Sequence, residues 1–120
     1  MSYLLSPVLY LEAEDFNSNL NLKHFKNKTC VVMVQANFCG YCTSAKPHFQ
    51  KFAEKNKPNV VCLTIEGDDN TPETEKLLNI VKKLKPSFGG FPDYLLFKKN
   101  KFVQKEINGR TEEALEEFIK

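Results

Sequence analysis

The chain of 120 residues is predicted to fold as an α/β domain, with a mixed central sheet and helices on both faces. Two observations predict this fold: strand-like apolar runs alternate with segments of helical periodicity, and the last two strands are close enough in sequence to form an antiparallel hairpin. The length, with 42% hydrophobic and 27% charged residues, predicts a single domain over residues 1–120 with a core of its own.

The first part of the chain predicts a short strand, a short helix and a long strand. Residues 8–11 form the first strand, and residues 14–22 form a helix capped by Asp15 or Asn17. The run TCVVMVQA at residues 29–36 is the clearest strand, because nearly continuous apolar and β-branched residues are typical of a strand covered on both faces.

Residues 40–56 have the period of a helix. Pro47 lies inside this helix and removes one backbone hydrogen bond, so we expect a bend there. The apolar face of the helix carries Ala45, Phe49, Phe52 and Ala53.

The next two elements are a strand and a helix. Residues 60–65 (VVCLTI) form a second buried strand. A helix then begins at Thr71-Pro72-Glu73, because this run offers a cap, a proline in the first turn and an acid near the positive end of the dipole. Pro86 ends this helix.

Residues 94–97 and 102–107 predict an antiparallel hairpin across a turn at 98–101. Thr111 then opens the last helix. The resulting order, β-α-β-α-β-α-β-β-α, predicts parallel strands followed by a C-terminal antiparallel hairpin in one sheet.

Charge and composition exclude several classes of function. The net charge is only +2, and 16 of the 17 basic residues are Lys, so we expect neither a nucleic-acid nor a membrane partner. No apolar run is long enough to cross a bilayer, and the N-terminus is a poor signal peptide. Four cysteines are too few for a disulfide framework, which favours a reducing, cytoplasmic location.

The motif Cys39-Gly40-Tyr41-Cys42 directly follows a predicted strand and opens a helix. Unpaired amides and the positive end of the helix dipole favour the thiolate of the first cysteine, and the spacing lets the two sulfurs form a disulfide. A zinc site is the disfavoured alternative, because no second pair of ligands has suitable spacing. Cys30 and Cys62, in apolar strands, are predicted to be inert core residues.

These motifs resemble the thioredoxin family along nearly the whole chain. The resemblance is carried by the strand TCVVMVQA, the segment NFCGYC, a proline eight residues after the first cysteine, the run GFPDYLLFK and a glycine at position 109. It implies a thioredoxin fold and a protein-disulfide oxidoreductase that serves electron transport with no cofactor besides its redox-active Cys39–Cys42 pair.

The resemblance also implies the roles of individual residues. Cys39 would be the nucleophile and Cys42 the resolving thiol. A cis bond before Pro92 would place that loop against both sulfurs, so that the backbone of Phe91 pairs with an extended substrate segment. The substrate-binding residues would then be Phe38, Gly40, Tyr41, Phe91 and Pro92, with no metal.

The sequence departs from the family at several of these positions. Phe38 and Tyr41 stand where the family usually has Trp and Pro, and we expect a reduction potential of roughly −270 to −180 mV. Asp93 replaces a Thr, either as a turn residue at the start of the strand or as a negative charge near Cys39. The segment 67–89 is longer than in a minimal member and is a candidate determinant of partner choice.

A buried Asp–Lys pair of the family is also missing. Met33 and Cys62 stand at the two positions, and we expect them to be buried and adjacent beneath Cys42. Replacing both charges together avoids an uncompensated buried charge. Cys42 would then have no carboxylate to accept its proton, unless Asp93 or Glu66 fills the same space.

Three functions remain in order of preference. The first is an oxidoreductase that acts as a monomer on protein disulfides and receives electrons from an unidentified reductase or dithiol donor. The second is a binding module that holds a partner along the cis-proline groove with little turnover. A glutaredoxin-like, glutathione-dependent enzyme comes third, because the Thr-Val-Pro sequence typical of that group is absent.

Overall fold

A computed structural model describes residues 3–68 and 70–120. The strands are β1 (Leu9–Tyr10), β2 (Thr29–Gln35), β3 (Val60–Glu66), β4 (Asp93–Lys98) and β5 (Lys101–Val103). The helices are α1 (Gly40–Asn56), α2 (Pro72–Leu84) and α3 (Glu112–Phe118). The strands form one sheet in the order β1-β3-β2-β4-β5, in which β1, β3 and β2 are parallel and β4 and β5 are antiparallel to their neighbours. This confirms the predicted α/β fold with its mixed sheet.

The central strand β2 separates two hydrophobic clusters, because successive side chains point to opposite faces of a sheet. Val31 and Met33 pack in the cluster that contains buried residues of α1 and α3. Cys30, Val32 and Val34 pack in the other cluster, with buried residues of α2. Both faces of β2 are therefore covered, as its continuous apolar sequence predicts.

Helix α1 has the predicted bounds, and Pro47 lies inside it. Cys39 is the N-cap residue, with extended backbone angles, and its sulfur accepts a hydrogen bond from the backbone N–H of Cys42. The junction between β2 and α1 thus fixes the first cysteine at the start of the helix.

The helix predicted over residues 14–22 is wrong. Only Ala13–Asp15 form a short 3-10 helix there. The Asn17 Oδ1 accepts hydrogen bonds from the backbone N–H groups of Asn19 and Asn21, so the side chain stabilises a turn that competes with a helix. Leu20, at φ 62°, has a left-handed backbone conformation, which a right-handed helix cannot include.

The hairpin is shorter than predicted, because β5 ends at Val103 rather than at residue 107. Its two-residue turn has Lys99 and Asn100 at φ 52° and 71°, the left-handed conformation that matches the twist of a tight hairpin. Beyond β5 the side chain of Glu106 contacts Lys85 and Ser87 outside the ladder, so the chain leaves the sheet before residue 107.

Met33 and Cys62 are both buried in the same hydrophobic cluster, as predicted. They are diagonal rather than direct neighbours, because the parallel register places Met33 opposite Thr64 and Cys62 opposite Val31. On its other side Met33 faces Tyr94 of β4. The centre of the sheet therefore carries apolar side chains at the two positions where the resemblance implies a charged pair.

Candidate active site

The two cysteines of the CxxC motif differ in burial. Cys42 is completely buried, whereas Cys39 is half-buried. Both are free thiols in this structure. The backbone N–H of Cys42 lies 3.1 Å from the Cys39 sulfur. The Cys39 sulfur thus lies at the N-terminus of α1, with a backbone amide directed at it.

Burial raises the pKa of Cys42 to about 12. The neighbouring Cys39 raises it further, whereas a backbone hydrogen bond involving Ala36 and the positive charge of Lys46 act in the opposite direction. Cys42 is therefore a protonated, shielded thiol at neutral pH.

The loop before β4 lies against the first cysteine. The Cys39 thiol donates a hydrogen bond of 3.4 Å to the carbonyl oxygen of Phe91, and the peptide bond between Phe91 and Pro92 is cis. The ring of Phe91 packs over Gly67, where a Cβ would come within 2.6 Å of the ring. Gly67 thus permits the approach of this loop, a role that no sequence motif signals.

Exposed aromatic side chains surround the CxxC motif. Phe38 is 75% exposed and Tyr41 is 66% exposed, although both are large hydrophobic residues that a monomeric surface seldom leaves uncovered in a cluster. Phe38 makes an edge contact with the ring of Phe91 at 6.0 Å. A Cβ at Gly40 would meet nothing within 4 Å, so the backbone between the cysteines is open to an approaching chain.

Pro92 and Arg110 line a cleft of about 530 Å³. The Arg110 guanidinium stacks 4.7 Å from the centre of the Tyr41 ring. Arg110 is the single arginine of the sequence. This is the one feature by which the sequence alone could have singled out Arg110 as a candidate site residue. The cleft is lined by Pro92, Asp93, Tyr94, Glu106, Ile107, Gly109, Arg110 and Thr111.

Tyr94 lies at the floor of this region and is fully buried. Burial raises its pKa above the ordinary tyrosine value, and the nearby Cys42 contributes to that shift. Its hydroxyl therefore stays protonated near Cys42. Within the described residues the hydroxyl has no hydrogen-bond partner.

Asp93 is an ion-pair residue rather than a free charge near Cys39. Its Oδ1 accepts a 2.6 Å bond from the Lys85 ammonium and a 2.8 Å bond from the backbone N–H of Tyr94. Burial alone would lower the pKa of Lys85, but hydrogen bonds to Asp93 and Glu106 outweigh it and hold the pKa above its usual value. Asp93 thus fixes the start of β4.

Lys46, on α1, is a second buried lysine. Its ammonium donates a 3.0 Å hydrogen bond to Asn37 Oδ1, and the backbone N–H of Asn37 donates one of 3.0 Å to Asp68 Oδ2. The sequence does not predict the burial of Lys46 or Lys85, because neither belongs to a recognisable motif. Glu66, the other candidate carboxylate, interacts with Tyr10 on the side of β1.

The structure brings together most of the predicted site. Cys39, Cys42 and Phe91 are joined by hydrogen bonds, Phe38 and Tyr41 form the rim, and Pro92 lies in the adjacent cleft. In residues 3–68 and 70–120 no group of three or more His, Cys, Asp or Glu side chains is arranged to hold a metal ion. Over the same ranges, every helix is too short or too polar to cross a membrane.

Known proteins share both the sequence pattern and the fold. A family model described as Thioredoxin matches residues 7–120. The chain is 40% identical to the thioredoxin-like protein 453L of Invertebrate iridescent virus 6, across 85% of this chain and 83% of the viral protein.

Two solved structures illustrate the shared fold. Thioredoxin f from spinach chloroplast is 23% identical, with a TM-score of 0.69 over 99% of this chain and 96% of that chain. Mitochondrial thioredoxin 3 of Saccharomyces cerevisiae is also 23% identical, with a TM-score of 0.59 over 78% of each chain. With the family match over residues 7–120 and the strand–CxxC–helix geometry, the chain belongs to the thioredoxin family.

Proposed function

We propose that the protein is a thiol–disulfide oxidoreductase that reduces or exchanges protein disulfides through Cys39 and Cys42. Family membership supports an oxidoreductase-like role in general. The observation that carries the specific proposal is the unequal burial of the two cysteines at one helix N-terminus, with the Cys39 sulfur held by the N–H of Cys42.

The proposed reaction has two exchange steps. The Cys39 thiolate attacks one sulfur of a substrate disulfide, which forms a mixed disulfide and releases the other substrate sulfur as a thiolate. Cys42 then loses its proton and attacks the Cys39 sulfur, which forms the Cys39–Cys42 disulfide and releases the second substrate thiol. The substrate gains two electrons, and the protein loses the same two.

The surface around Cys39 supports an extended protein substrate. The Phe91 carbonyl already faces the sulfur, the rim is apolar, and Gly40 leaves room for a second backbone. Backbone pairing would bind many sequences without strong side-chain demands. Protein disulfides are therefore the proposed substrate class, and an electron donor must reduce the Cys39–Cys42 disulfide after each cycle.

Reduction of insulin with dithiothreitol as the electron donor tests this function. We expect turnover above the rate of dithiothreitol alone, and its loss in both Cys39→Ser and Cys42→Ser. The matched pair separates the roles when each reduced variant is mixed with insulin after dithiothreitol has been removed, because only Cys42→Ser should then accumulate a stable mixed disulfide with insulin. If the unmodified protein binds disulfide-containing chains without any gain in rate, the binding-module alternative replaces the enzyme.

A further inference from the structure

Lys46 is a buried cation on the same helix face as Cys42. It lies four residues after Cys42 in α1, a spacing that brings side chains within about 5–6 Å at their Cβ atoms. Both side chains are buried, whereas Lys51 and Lys55 of the same helix are exposed. A buried lysine is uncommon, because removing an ammonium from water is costly.

A hydrogen bond ties the Lys46 ammonium to the loop that leads into the CxxC motif. Its Nζ bonds to Oδ1 of Asn37, which lies in the loop just before the Cys39 N-cap. Helical side chains lean towards the helix N-terminus, so the Lys46 side chain runs back along the turn that carries Cys42. Asp68 in turn holds the backbone of Asn37, which fixes the position of the anchor.

At the centre of the sheet, Met33 is fully buried between Thr64 and Tyr94, so this position of β2 supplies no carboxylate. In the proposed reaction the Cys42 sulfur must become negative as it attacks the mixed disulfide. A positive charge beside it lowers the free energy of that developing thiolate, whereas a carboxylate would act by accepting the proton.

We propose that the buried Lys46 ammonium promotes the resolving step by stabilising the negative charge that develops on Cys42. This inference rests on the proposed oxidoreductase function. Lys46 forms no bond with the substrate and exchanges no electrons. The Cys42 proton leaves to water or to the departing substrate thiolate.

Among the residues that the structure describes, the charged and titratable groups that act on Cys42, directly or through a neighbour, come from several segments of the chain. Cys39 and Lys46 lie on α1 or at its cap, and Tyr94 faces Cys42 from β4. The positive charge of Arg110, in the segment before α3, acts to lower the pKa of Tyr94. Asp68 contacts the site indirectly, because its carboxylate accepts a hydrogen bond from the backbone N–H of Asn37. Lys46 is the cation in this group that acts directly on Cys42, so its removal should change the ionisation of that thiol.

The test follows the reaction of the reduced protein with dithiobis(nitrobenzoate), which releases one coloured thiolate when Cys39 attacks and a second when Cys42 resolves the mixed disulfide. We expect Lys46→Met to leave the first release unchanged and to slow the second about tenfold near neutral pH, which corresponds to one pKa unit. Lys46→Gln, which keeps a hydrogen-bond donor without the charge, should behave like Lys46→Met.

Lys51→Met is the matched control, because it removes the same charge from an exposed position of the same helix. It should leave both releases unchanged. Lys46→Arg, which retains the charge, should resolve faster than Lys46→Gln. An unchanged second release in both neutral variants would overturn the proposal. So would equal slowing of the two releases, because Lys46 would then act only by holding the Asn37 loop. A parent protein without any second release would instead contradict the proposed function itself.

Discussion

Burial separates the four cysteines of the chain into one accessible thiol and three shielded ones. Burial raises the pKa of Cys30 to about 11 and that of Cys62 to about 12, and Cys42 is raised similarly. Cys39 is the half-exposed member at the helix N-terminus. Reactivity depends on both thiolate content and access, so a single cysteine should dominate the chemistry of the reduced protein.

Limited alkylation of the reduced protein near neutral pH should therefore label Cys39 first. Peptide mapping by mass spectrometry would measure the order, and the Cys39→Ser variant should remain largely unlabelled over the same period. Faster labelling of Cys42, Cys30 or Cys62 in the folded protein would contradict the assignment of the accessible thiol.

The raised pKa of Cys42 predicts a pH dependence for the resolving step. Below a pKa of about 12 the thiolate fraction grows about tenfold per pH unit, so the rate of the second coloured release should rise through the neutral and mildly alkaline range. Rapid mixing at several pH values would measure this slope. A plateau near neutral pH would show that another group accepts the proton of Cys42.

The sequence motifs predict the reactive residues but not their surroundings. The CxxC motif and the Phe91-Pro92 run correctly predict residues that contact one another. The Cys39 sulfur is hydrogen-bonded to the backbone of both Cys42 and Phe91. Lys46 and Gly67 escape prediction, because their roles depend on burial and on an approach between segments distant in sequence. Such roles arise from tertiary packing, and a single sequence contains no local pattern for them.

Among the structural elements, strong periodicity is predicted better than short polar segments. Helix α1 combines an apolar face, an N-cap and many turns, and its predicted bounds match the structure. The segment 14–22 contains three asparagines, and the side chain of Asn17 accepts backbone hydrogen bonds that favour a turn over a helix. The predicted helix fails there because local side-chain contacts outweigh a weak apolar pattern.

The junction between α2 and β4 depends on a buried ion pair. The side chain of Lys85 is 3% exposed and that of Asp93 is 17% exposed, and their charged atoms lie 2.6 Å apart. Lys85→Met leaves the carboxylate without its cation, so we expect a loss of about 3 kcal/mol in unfolding free energy. Lys85→Met combined with Asp93→Asn should recover most of that loss, because it removes both charges.

Urea unfolding near neutral pH would measure this double-mutant cycle. The folded pKa of Lys85 is raised, so its contribution is fully present at neutral pH and is lost only as pH rises through that raised value. Lys83→Met, at an exposed position of α2, is the control and should change stability little. Additive losses in the double variant would show that the pair is not coupled.

At the scale of the whole molecule, the sheet is a layer between two hydrophobic clusters and the active site lies at one end of its central strand. Met33 occupies the middle of that layer, between Thr64 of β3 and Tyr94 of β4, and is fully buried. The sequence predicts this burial, because the strand is apolar throughout, but the diagonal register with Cys62 is set by the pairing of two distant strands.

Met33→Asp introduces a buried carboxylate without a cationic partner, and we expect it to destabilise the protein by about 3–5 kcal/mol at neutral pH. Burial would raise the pKa of this carboxyl group in the folded state above its unfolded value of about 3.9. The group is neutral in both states below the unfolded pKa, so the loss should be smallest in acid and grow as pH rises through the folded pKa.

Met33→Leu, which stays apolar and similar in volume, should cost less than about 1.5 kcal/mol. Urea unfolding of the three proteins over a pH series would measure these differences. Equal stability of Met33→Asp and Met33→Leu at neutral pH would mean that a cation compensates the new carboxylate. An apolar side chain at the centre of the sheet would then not be required for the stability of the protein.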